Sequence, residues 1–333
     1  MFLNLERHWY KASYSWLTYL LLPLSGLFYL ITAFRRFLYR IGLKKVVNFS
    51  VPVIVVGNIT VGGTGKTPLV IWLAKFLQAQ GYQPGIVSRG VGGIKHYVPQ
   101  NVDAISNSDI VGDEAVLLAK KTHCPVVICV DRVAAVRELL KIAHCNIVIA
   151  DDGLQHYHLG RTIEIAVIDG ERQLGNKCLL PAGPLRELPS RLKEVDCVVT
   201  HGKTGSITMQ LHGNELRTVT NESKQLLTAF HSQTVHAVAG IGHPQRFFHF
   251  LRSHGLHLIE HVFSDHYRYA KKDFHFMDNK FIIMTEKDAV KCQHFADERF
   301  LYVPVEALVD DRLQQILLEK LLLFSNRVLK PGF

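Results

Sequence analysis

A lysine and a threonine that follow a run of glycines have the spacing of a phosphate-binding loop. They lie in the segment 53–70, VIVVGNITVGGTGKTPLV. Glycines let successive backbone N–H groups face one anion, and the N-terminus of a following helix adds partial positive charge. Lys66 is predicted to reach the β- and γ-phosphates of a nucleotide, and the Thr67 hydroxyl to ligate Mg²⁺. The predicted phosphate-binding residues are Thr60, Val61, Gly62, Gly63, Thr64, Gly65, Lys66 and Thr67.

The loop departs from the usual pattern at one position. In G-x-x-x-x-G-K-[ST] the first glycine would fall at residue 60, which is a threonine here. Gly62 and Gly63 are expected to supply the flexibility instead. The β-branched run before the loop and the apolar helix pattern after it are the context that a P-loop requires. They favour nucleotide phosphate binding over a glycine turn with a chance lysine.

Two neighbouring carboxylates end a second buried strand. The run 146–150, NIVIA, is followed by Asp151 and Asp152. An apolar strand that ends in aspartate is the Walker B pattern, in which the carboxylate meets the Mg²⁺ at the P-loop. Asp151 is therefore a predicted metal ligand. Neighbouring carboxylates can differ in role, which leaves Asp152 for acid–base work.

Arginines follow other strands and loops of the predicted sheet. Arg89 stands among the glycines of 88–93, Arg132 follows a buried strand, and Arg186 lies with Glu187 in a Pro- and Gly-rich loop. Ligands of parallel α/β sheets bind at the carboxyl ends of the strands. We therefore expect these arginines near a phosphate or a substrate.

Single acidic and histidine side chains are less specific signals. Asp113 opens a predicted helix after Gly112, where it could serve a ligand or only complement the helix dipole. The histidines of the C-terminal half match no zinc template. Among them, His243 and His266 are the two predicted to face a cleft.

Strands that alternate with helices indicate an α/β fold, a doubly wound parallel sheet of the P-loop NTPase type. Residues 46–215 are predicted to form this nucleotide-binding domain, with 196–202 as its last strand. The stretch 203–230 is polar and weakly periodic, and we predict a linker or a β-hairpin there. Residues 216–333 are predicted to form a second, smaller α/β domain.

The N-terminal part, 1–45, contains an uncharged segment, 14–34, before a cluster of basic residues. Its length allows a membrane span, but Pro23, Gly26 and several hydroxyl side chains weaken that interpretation. We prefer a membrane-associated helix in the interface over a single span or a buried domain helix. The basic residues are Arg35, Arg36, Arg40, Lys44 and Lys45. Such clusters favour the cytoplasmic side of a membrane.

Composition agrees with a folded protein that meets an anionic partner. The 333 residues are 48% hydrophobic and 20% charged, with a formal net charge of +9. This charge suits a nucleotide, a nucleic acid or an anionic membrane. The six cysteines form no CxxC pair, and we interpret them as free thiols in a reducing cytosol.

Several motifs together resemble one family, the tetraacyldisaccharide 4'-kinases, which are the lipid A 4'-kinases of Gram-negative bacteria. The resemblance runs from about residue 10 to 325 and is specific because many motifs recur in one order. The motifs are VGNITVGGTGKTP at 56–68, SRGVGG at 88–93, GDE at 112–114, ADDGLQHYHL at 150–159, LLPAGPLRE at 179–187, AGIGHP at 239–244, the pair Asp265-His266, and MTEKDAVKC at 284–292. Val91 and Lys177 depart from it, where an aromatic residue and a glycine are usual.

The resemblance implies phosphorylation of the 4'-hydroxyl of a tetraacylated glucosamine disaccharide 1-phosphate in lipid A biosynthesis, with ATP and Mg²⁺ as cofactors. The partners it implies are this lipid and the cytoplasmic face of the bacterial inner membrane, with the protein peripheral or monotopic. It favours Asp113 as general base, with Asp152 and His266 as a supporting pair that forms when two lobes close, and Lys66 as the catalytic cation. The candidates for substrate contacts are Arg89, Arg132, Gln155, Arg186 and Glu187.

Two other classes of protein fit part of the pattern. A membrane-docked switch or chaperone ATPase would use the same P-loop without a lipid acceptor. A nucleic-acid-dependent ATPase is suggested only by the net charge of +9, and the chain has no basic and aromatic tracts beyond its N-terminal segment, so no nucleic acid is expected as partner. Lys287 and Asp288 either read the nucleotide base or only end a strand.

Overall fold

The computed structural model describes residues 8–11 and 13–328, in which β-strands alternate with α-helices. The strands are β1 (Val53–Gly57), β2 (Pro84–Ser88), β3 (Gln100–Val102), β4 (Val126–Ile128), β5 (Ile147–Asp151), β6 (Ile163–Asp169), β7 (Cys197–His201), β8 (Ile207–His212), β9 (Glu215–Thr218), β10 (Lys224–Leu226), β11 (Thr234–Ala239), β12 (His257–Val262), β13 (Ile282–Thr285), β14 (Phe300–Val303) and β15 (Glu306–Val309). The α-helices are α1 (Trp16–Arg40), α2 (Lys66–Ala79), α3 (Ser108–Val111), α4 (Asp113–Thr122), α5 (Arg132–Ile142), α6 (Pro244–Ser253), α7 (Glu286–Cys292) and α8 (Asp311–Val328). Residues 1–7 and 12 of the predicted N-terminal segment, and 329–333 of the predicted C-terminal domain, lie outside the described residues.

The β-branched runs form the centre of a large sheet. Within the described residues this sheet has nine strands in the order β15-β8-β7-β6-β1-β5-β2-β4-β3. The strands from β8 to β4 in this order run parallel. Ile54 and Val56 of β1 pack on one side against Leu73 of α2, whereas Val55 packs on the other side against Val136 of α5. Helices therefore cover both faces, and the predicted doubly wound parallel sheet is confirmed.

The sheet extends further than the sequence indicates. We predicted 196–202 as its last strand, but β8 adds to β7 in parallel, and β15 adds to β8 in antiparallel orientation. The 203–230 stretch, predicted as a linker or a β-hairpin, holds β8 and the antiparallel pair β9 and β10 of a second sheet, so the hairpin alternative is confirmed and β8 is additional. Only Ile207 and Met209 of β8 are buried, which is too short an alternation to stand out in a polar stretch.

A second, smaller sheet follows, with six strands among the described residues in the order β10-β9-β14-β13-β11-β12. Its middle strands are parallel, and β9 and β10 are antiparallel. Phe248 and Leu251 of α6 are buried against it. The chain then returns to the first sheet, where Leu313, Leu317 and Leu321 of α8 join its core. The last strand and helix thus lie on the first sheet, although the sequence analysis grouped them with 216–333.

The predicted N-terminal helix is α1, a helix of 25 residues with Ser15 as its N-cap. By length and composition alone it could cross a membrane. Many of its apolar side chains point to solvent; Leu20, Leu30 and Phe34 are 60% exposed or more. Its other side lies along the protein, where Ser25 is buried and bonded to a loop after β6. One side of α1 therefore faces protein and the other presents an apolar surface.

Candidate active site

The P-loop joins β1 to α2 with the geometry of an anion site. Gly62 and Gly65 have φ values of +97° and +92°, in the left-handed region that favours glycine. A Cβ on Gly65 would also lie 2.8 Å from His201 Nδ1. Gly65 is the N-cap of α2, whose first turn carries no acidic side chain. The free N–H groups at this helix start can therefore bind a phosphate.

Thr60 has a structural reason to differ from the usual glycine. It is buried and pairs in antiparallel fashion with Leu185, as an extended residue. Val61 N donates to Pro184 O at 2.8 Å, which holds this half of the loop on a neighbouring segment. An extended residue has no need of positive φ, so glycine is not required at position 60.

Asp151 and Asp152 end β5 beside the P-loop but face different partners. Asp151 is 1% exposed, and its Oδ2 accepts from Ser88 Oγ at 3.3 Å. Burial raises the pKa of Asp151 to about 7, and the charges of Glu114 and Asp152 act in the same direction. Asp152 has a φ of +49°, which turns its side chain away from that of Asp151.

Asp152 lies between two cations. Its Oδ1 is 3.5 Å from Lys66 Nζ, and Arg186 Nη1 is 3.2 Å from each carboxylate oxygen. Burial favours the neutral acid, but Lys66 and Arg186 outweigh it and hold the pKa of Asp152 well below its usual range. Asp152 is thus a firmly ionised carboxylate and a weak proton acceptor.

A second carboxylate pairs with a histidine of the smaller lobe. Asp113, 2% exposed at the start of α4, has its Oδ1 2.9 Å from His266 Nδ1. Burial lowers the pKa of His266, yet the hydrogen bond to Asp113 and the negative charges of Asp113 and Asp265 together outweigh burial, and the pKa is raised above its ordinary value. His266 therefore pairs with Asp113, whereas the sequence analysis paired it with Asp152; Asp152 is instead turned toward Lys66 and Arg186.

The glycines of 88–93 lie against this Asp113–His266 dyad. A Cβ on Gly92 would be 2.7 Å from His266 Nδ1 and 3.1 Å from Asp113 Oδ1. Gly92 also has a φ of +89°. Only a glycine allows the loop to pass so close to the dyad, which explains the glycine-rich motif after β2.

Lys287 adds an ion cluster that sequence reasoning did not place. Its Nζ lies 3.0 Å from Glu114 Oε1, 3.1 Å from Asp265 Oδ1 and 3.4 Å from His266 Nε2. Burial opposes its charged form, but Glu114 and Asp113 raise the pKa of Lys287 above its ordinary value. Lys287 thus holds His266 and the start of α4 together. The motifs GDE and MTEKD carry these residues but gave no sign that they meet.

Comparison with known proteins identifies the family. Residues 17–322 match the family described as Tetraacyldisaccharide-1-P 4'-kinase. The chain is 50% identical over 329 residues to the tetraacyldisaccharide 4'-kinase of Coxiella burnetii (strain RSA 331 / Henzerling II), which covers 98% of this chain and 97% of that protein. The chain belongs to the tetraacyldisaccharide-1-P 4'-kinase family. The resemblance predicted from the motifs is confirmed.

Other similar proteins agree with this family. The tetraacyldisaccharide 4'-kinase of Nitrosococcus oceani is 49% identical over 302 residues, covering 90% of this chain and 89% of that protein. The crystal structure of LpxK from Aquifex aeolicus in complex with ATP is 29% identical, with a TM-score of 0.77, and the match covers 92% of this chain and 99% of that chain. The predicted α/β fold of the P-loop NTPase type is confirmed by this likeness.

The remaining predicted residues of this family member differ in exposure. Arg89 is exposed at the end of β2, with no hydrogen-bond or ion-pair partner among residues 8–11 and 13–328. Arg132 is fully buried and donates to Cys129 O and Asp151 O, so in this arrangement it supports the strand end and has no surface for a ligand. The Asp152 carboxylate contacts both Lys66 and Arg186.

Gln155 and Glu187 form a second pair near the P-loop. Gln155 Nε2 donates to Glu187 Oε2 at 2.9 Å and to Asn58 O at 3.1 Å. Glu187 also accepts from Tyr157 OH. Burial raises the pKa of Glu187. This pair lies between the P-loop strand and α1, whose Arg35 donates to Gln155 O.

Asp288 and His243 are placed by the fold of the smaller lobe. Asp288 is fully buried and accepts from Thr285 Oγ1 at 2.7 Å and Gly240 N at 3.0 Å, which indicates a structural role. His243 is the N-cap residue of α6. Next to it, a Cβ on Gly242 would be 2.9 Å from Gly63 N, so the smaller lobe touches the P-loop at this glycine.

A cavity of about 390 Å³ opens beside the P-loop at the ends of β6 and β7. It lies on the opposite side of β1 from the acidic strand β5. Arg246 crosses it, donating to His201 Nδ1 at 3.0 Å and to Asp169 Oδ1 at 2.9 Å. Burial and Arg246 lower the pKa of His201 to about 4, so its ring is neutral. The sequence motifs did not indicate Arg246, His201 or Asp169. The only signal in the sequence is that Asp169 ends an apolar strand.

The residues around Asp151 fit a magnesium ion. Asp151 Oδ1 is buried and has no hydrogen-bond partner among the described residues, and Thr67 lies in the first turn of α2. Among residues 8–11 and 13–328, no group of three or more His, Cys, Asp or Glu side chains is placed to hold a metal ion by itself. Mg²⁺ at phosphate sites is usually bound by one or two carboxylates together with phosphate oxygens and water. An open carboxylate oxygen at the end of the strand that pairs with the P-loop strand agrees with that chemistry.

Proposed function

We propose that the chain transfers the γ-phosphate of ATP to the 4'-hydroxyl of a tetraacylated glucosamine disaccharide 1-phosphate. The observation that carries the proposal is the meeting of three groups at the carboxyl edge of the first sheet: the P-loop, the Asp151–Asp152 strand end and the Asp113–His266 dyad. Family membership and the likeness to a kinase crystallised with ATP support it. A switch ATPase would need the P-loop and Asp151 but has no use for a separate buried dyad.

Lys66 and the amides of the P-loop are assigned to the β- and γ-phosphates. Arg186 lies on the other side of Asp152 and is a second cation for the transferred group. Thr67 and Asp151 would hold Mg²⁺, which neutralises charge that develops on the phosphate oxygens. The nucleotide base is assigned to the cavity at the ends of β6 and β7, because it adjoins the P-loop away from the metal side.

Asp113 is assigned as the proton acceptor for the sugar hydroxyl. Of the two candidates, Asp152 is held ionised by two cations and binds a proton weakly. Asp113 Oδ1 is occupied by His266 Nδ1 and the Glu114 amide, at 2.9 and 2.8 Å. Its Oδ2 has longer contacts, 3.2 Å to His266 and 3.7 Å to Lys291. We therefore assign Oδ2 to the hydroxyl proton and His266 to holding the carboxylate in place.

The lipid acceptor requires access to a membrane, and we assign α1 to the cytoplasmic face of the inner membrane as a monotopic element. Its apolar side chains are exposed on one side, while Arg36 and Arg40 contact Glu194 on the protein side. A helix that lies along the protein in this way is suited to the interface rather than to a span surrounded by lipid. Full recovery of the protein in the soluble fraction at low salt would contradict this assignment.

A single assay tests the reaction. Purified protein is given Mg²⁺ and ATP labelled in the γ-phosphate, with and without the tetraacyl disaccharide 1-phosphate. We expect label to move into the lipid. Release of labelled phosphate without lipid, and no labelled lipid, would favour the switch ATPase and overturn the kinase.

A further inference from the structure

Ser25 is a buried polar residue in the otherwise exposed apolar helix α1. It is 6% exposed, whereas Leu24 and Leu27 are 53% and 56% exposed. A helical serine often bonds to a carbonyl of its own preceding turn. Ser25 Oγ instead donates to Leu179 O at 2.8 Å and accepts from Ala182 N at 3.0 Å. These two bonds join α1 to the loop after β6.

The loop that Ser25 contacts is closed by its own backbone. Gly183 N donates to Leu179 O at 2.9 Å, and Leu180 N donates to Leu185 O at 2.9 Å. Leu185 N in turn donates to Cys178 O at 3.1 Å. Because both ends of the loop are tied to each other, a displacement at the Ser25 end is passed to its other end.

That other end is bonded to the P-loop and carries Arg186. Val61 N donates to Pro184 O at 2.8 Å, and Arg186 N donates to Ile59 O at 2.7 Å. The Arg186 side chain then contacts Asp152, 3.2 Å away, which also faces the P-loop lysine. A continuous set of hydrogen bonds therefore runs from the middle of α1 to the first half of the P-loop and to a cation of the active site.

We propose that Ser25 is a positioning residue, through which the membrane-facing helix holds the P-loop and Arg186 in the arrangement used for phosphoryl transfer. The inference rests on the proposed kinase function. Without the Ser25 hydroxyl, Leu179 O keeps the Gly183 amide, but Ala182 N is left buried and unpaired. The unpaired amide favours a shift of the loop, and Arg186 and Val61 shift with it because they are bonded to the loop or belong to it. The helix thus has a second task besides contact with the membrane.

The test compares Ser25→Ala with Thr32→Ala. Alanine favours helix, so α1 is expected to persist in both variants. Thr32 Oγ1 bonds only within α1, to Phe28 O and Tyr29 O, which makes it a matched loss of one hydroxyl. We expect kcat for lipid phosphorylation to fall about 5- to 30-fold in S25A, the change that follows from 1–2 kcal/mol. Thr32→Ala should match wild type, and co-sedimentation with vesicles of anionic phospholipid should be equal in all three proteins.

Hydrogen exchange provides a readout independent of the reaction. The amides of Val61 and Arg186 should exchange faster in S25A than in T32A, because their hydrogen bonds, Val61 N to Pro184 O and Arg186 N to Ile59 O, join the P-loop to the segment that Ser25 supports. If S25A has a lower Tm, Ser25→Cys, which keeps a weak polar group of similar size, is measured as well. Rates are then compared at several temperatures below the lowest Tm. A loss of kcat in S25A that is the same at each of these temperatures, with S25C between wild type and S25A, supports the inference, and a loss that is absent at the lowest temperature and grows toward the Tm overturns it.

Other outcomes overturn the inference and are separable from failure of the kinase itself. Equal kcat in S25A and T32A overturns it, as does a rate loss that disappears when the lipid is dispersed in detergent, because α1 would then only recruit the protein to the membrane. If wild type transfers no label to the lipid, the proposed function fails instead. Even if wild type transfers no label, unchanged hydrogen exchange of the Val61 and Arg186 amides in S25A would refute the positioning role of Ser25.

Discussion

Replacing Asp113 by asparagine removes a negative charge from the dyad and keeps its shape. Asp113 Oδ1 lies 2.9 Å from His266 Nδ1 and accepts from the Glu114 amide at 2.8 Å. The amide oxygen of asparagine can keep the contact with the Glu114 amide, so the start of α4 is expected to stay in place. The variant loses the carboxylate that we assign as the acceptor of the hydroxyl proton.

The expected loss of rate can be separated from any loss of stability. General acid–base groups contribute about 10²- to 10⁴-fold to rate, so kcat of D113N should fall at least about 100-fold, equivalent to about 2.7 kcal/mol of transition-state stabilisation. An acidic residue at the start of a helix is worth only about 0.3–1 kcal/mol. Lys291, 3.7 Å from Asp113 Oδ2, keeps Asp288 as an ion-pair partner at 2.8 Å. Because Asp113 is buried and bonded to His266, D113N can also lose stability, so kcat is compared at a temperature well below the Tm of both proteins.

Initial rates of label transfer from γ-labelled ATP to the lipid measure this effect, with Tm recorded for each variant. Asp109→Asn is the control, because Asp109 lies in the neighbouring helix α3, is 46% exposed and is 3.9 Å from Arg268. It should keep kcat near that of wild type. His266→Asn and the double variant with D113N should show non-additive losses, since the two side chains act as a unit. A D113N kcat within about threefold of wild type would refute the assignment of the base.

Three further predictions concern the P-loop, the metal and pH. Lys66→Ala should abolish phosphoryl transfer, whereas Lys75→Ala, which removes an exposed lysine from the same helix, should not; label transfer measures both. Asp151→Asn should raise the Mg²⁺ concentration needed for half-maximal rate by about 10- to 100-fold, and an unchanged Mg²⁺ titration would contradict its role. The pKa of His266 is raised on folding, so its stabilisation is fully present below the unfolded value of about 6.5 and is lost as pH rises through the folded value. The Tm difference between wild type and His266→Gln should accordingly be largest at acidic pH, and a difference that grows with pH would be inconsistent with this.

Features that are local in the sequence could be predicted from it. A strand, a glycine turn and a helix lie within about 27 residues of each other in the P-loop region, so their pattern alone indicates their contact. The same holds for Asp151, which directly follows its strand. The doubly wound sheet follows from the repeated order of strand and helix, and its centre was predicted for this reason.

Contacts between distant segments could not be read from the pattern. Asp113 and His266 are separated by 153 residues, and only the packing of the two lobes brings them together. Asp152 follows Asp151 in sequence and looks equally placed to meet a histidine. Asp152 instead has a φ of +49° and contacts Lys66. The residue type alone does not predict that backbone conformation.

The edges of the sheets escaped prediction for a related reason. An inner strand of a parallel sheet is buried on both faces and reads as a continuous apolar run. β8 and β15 lie at the edge, where β8 buries only alternate residues and β15 buries little. Such short alternations are common by chance in polar segments, so only a linker or a β-hairpin was predicted for 203–230.

The Asp113–His266 dyad joins the two lobes, and ion pairs around α4 connect the lobes as well. Around α4, Lys287 contacts Glu114 at 3.0 Å, and Lys121 contacts Glu286 at 2.9 Å. The side chains of these two pairs are between 9% and 22% exposed, and the pairs orient the lobes relative to each other. His266 reaches Asp113 only from the smaller lobe, and that lobe also places its glycine turn on the P-loop. The same lobe therefore supplies both the partner of Asp113 and a contact with the P-loop, and we propose that one closure of the lobes aligns the base and covers the phosphates.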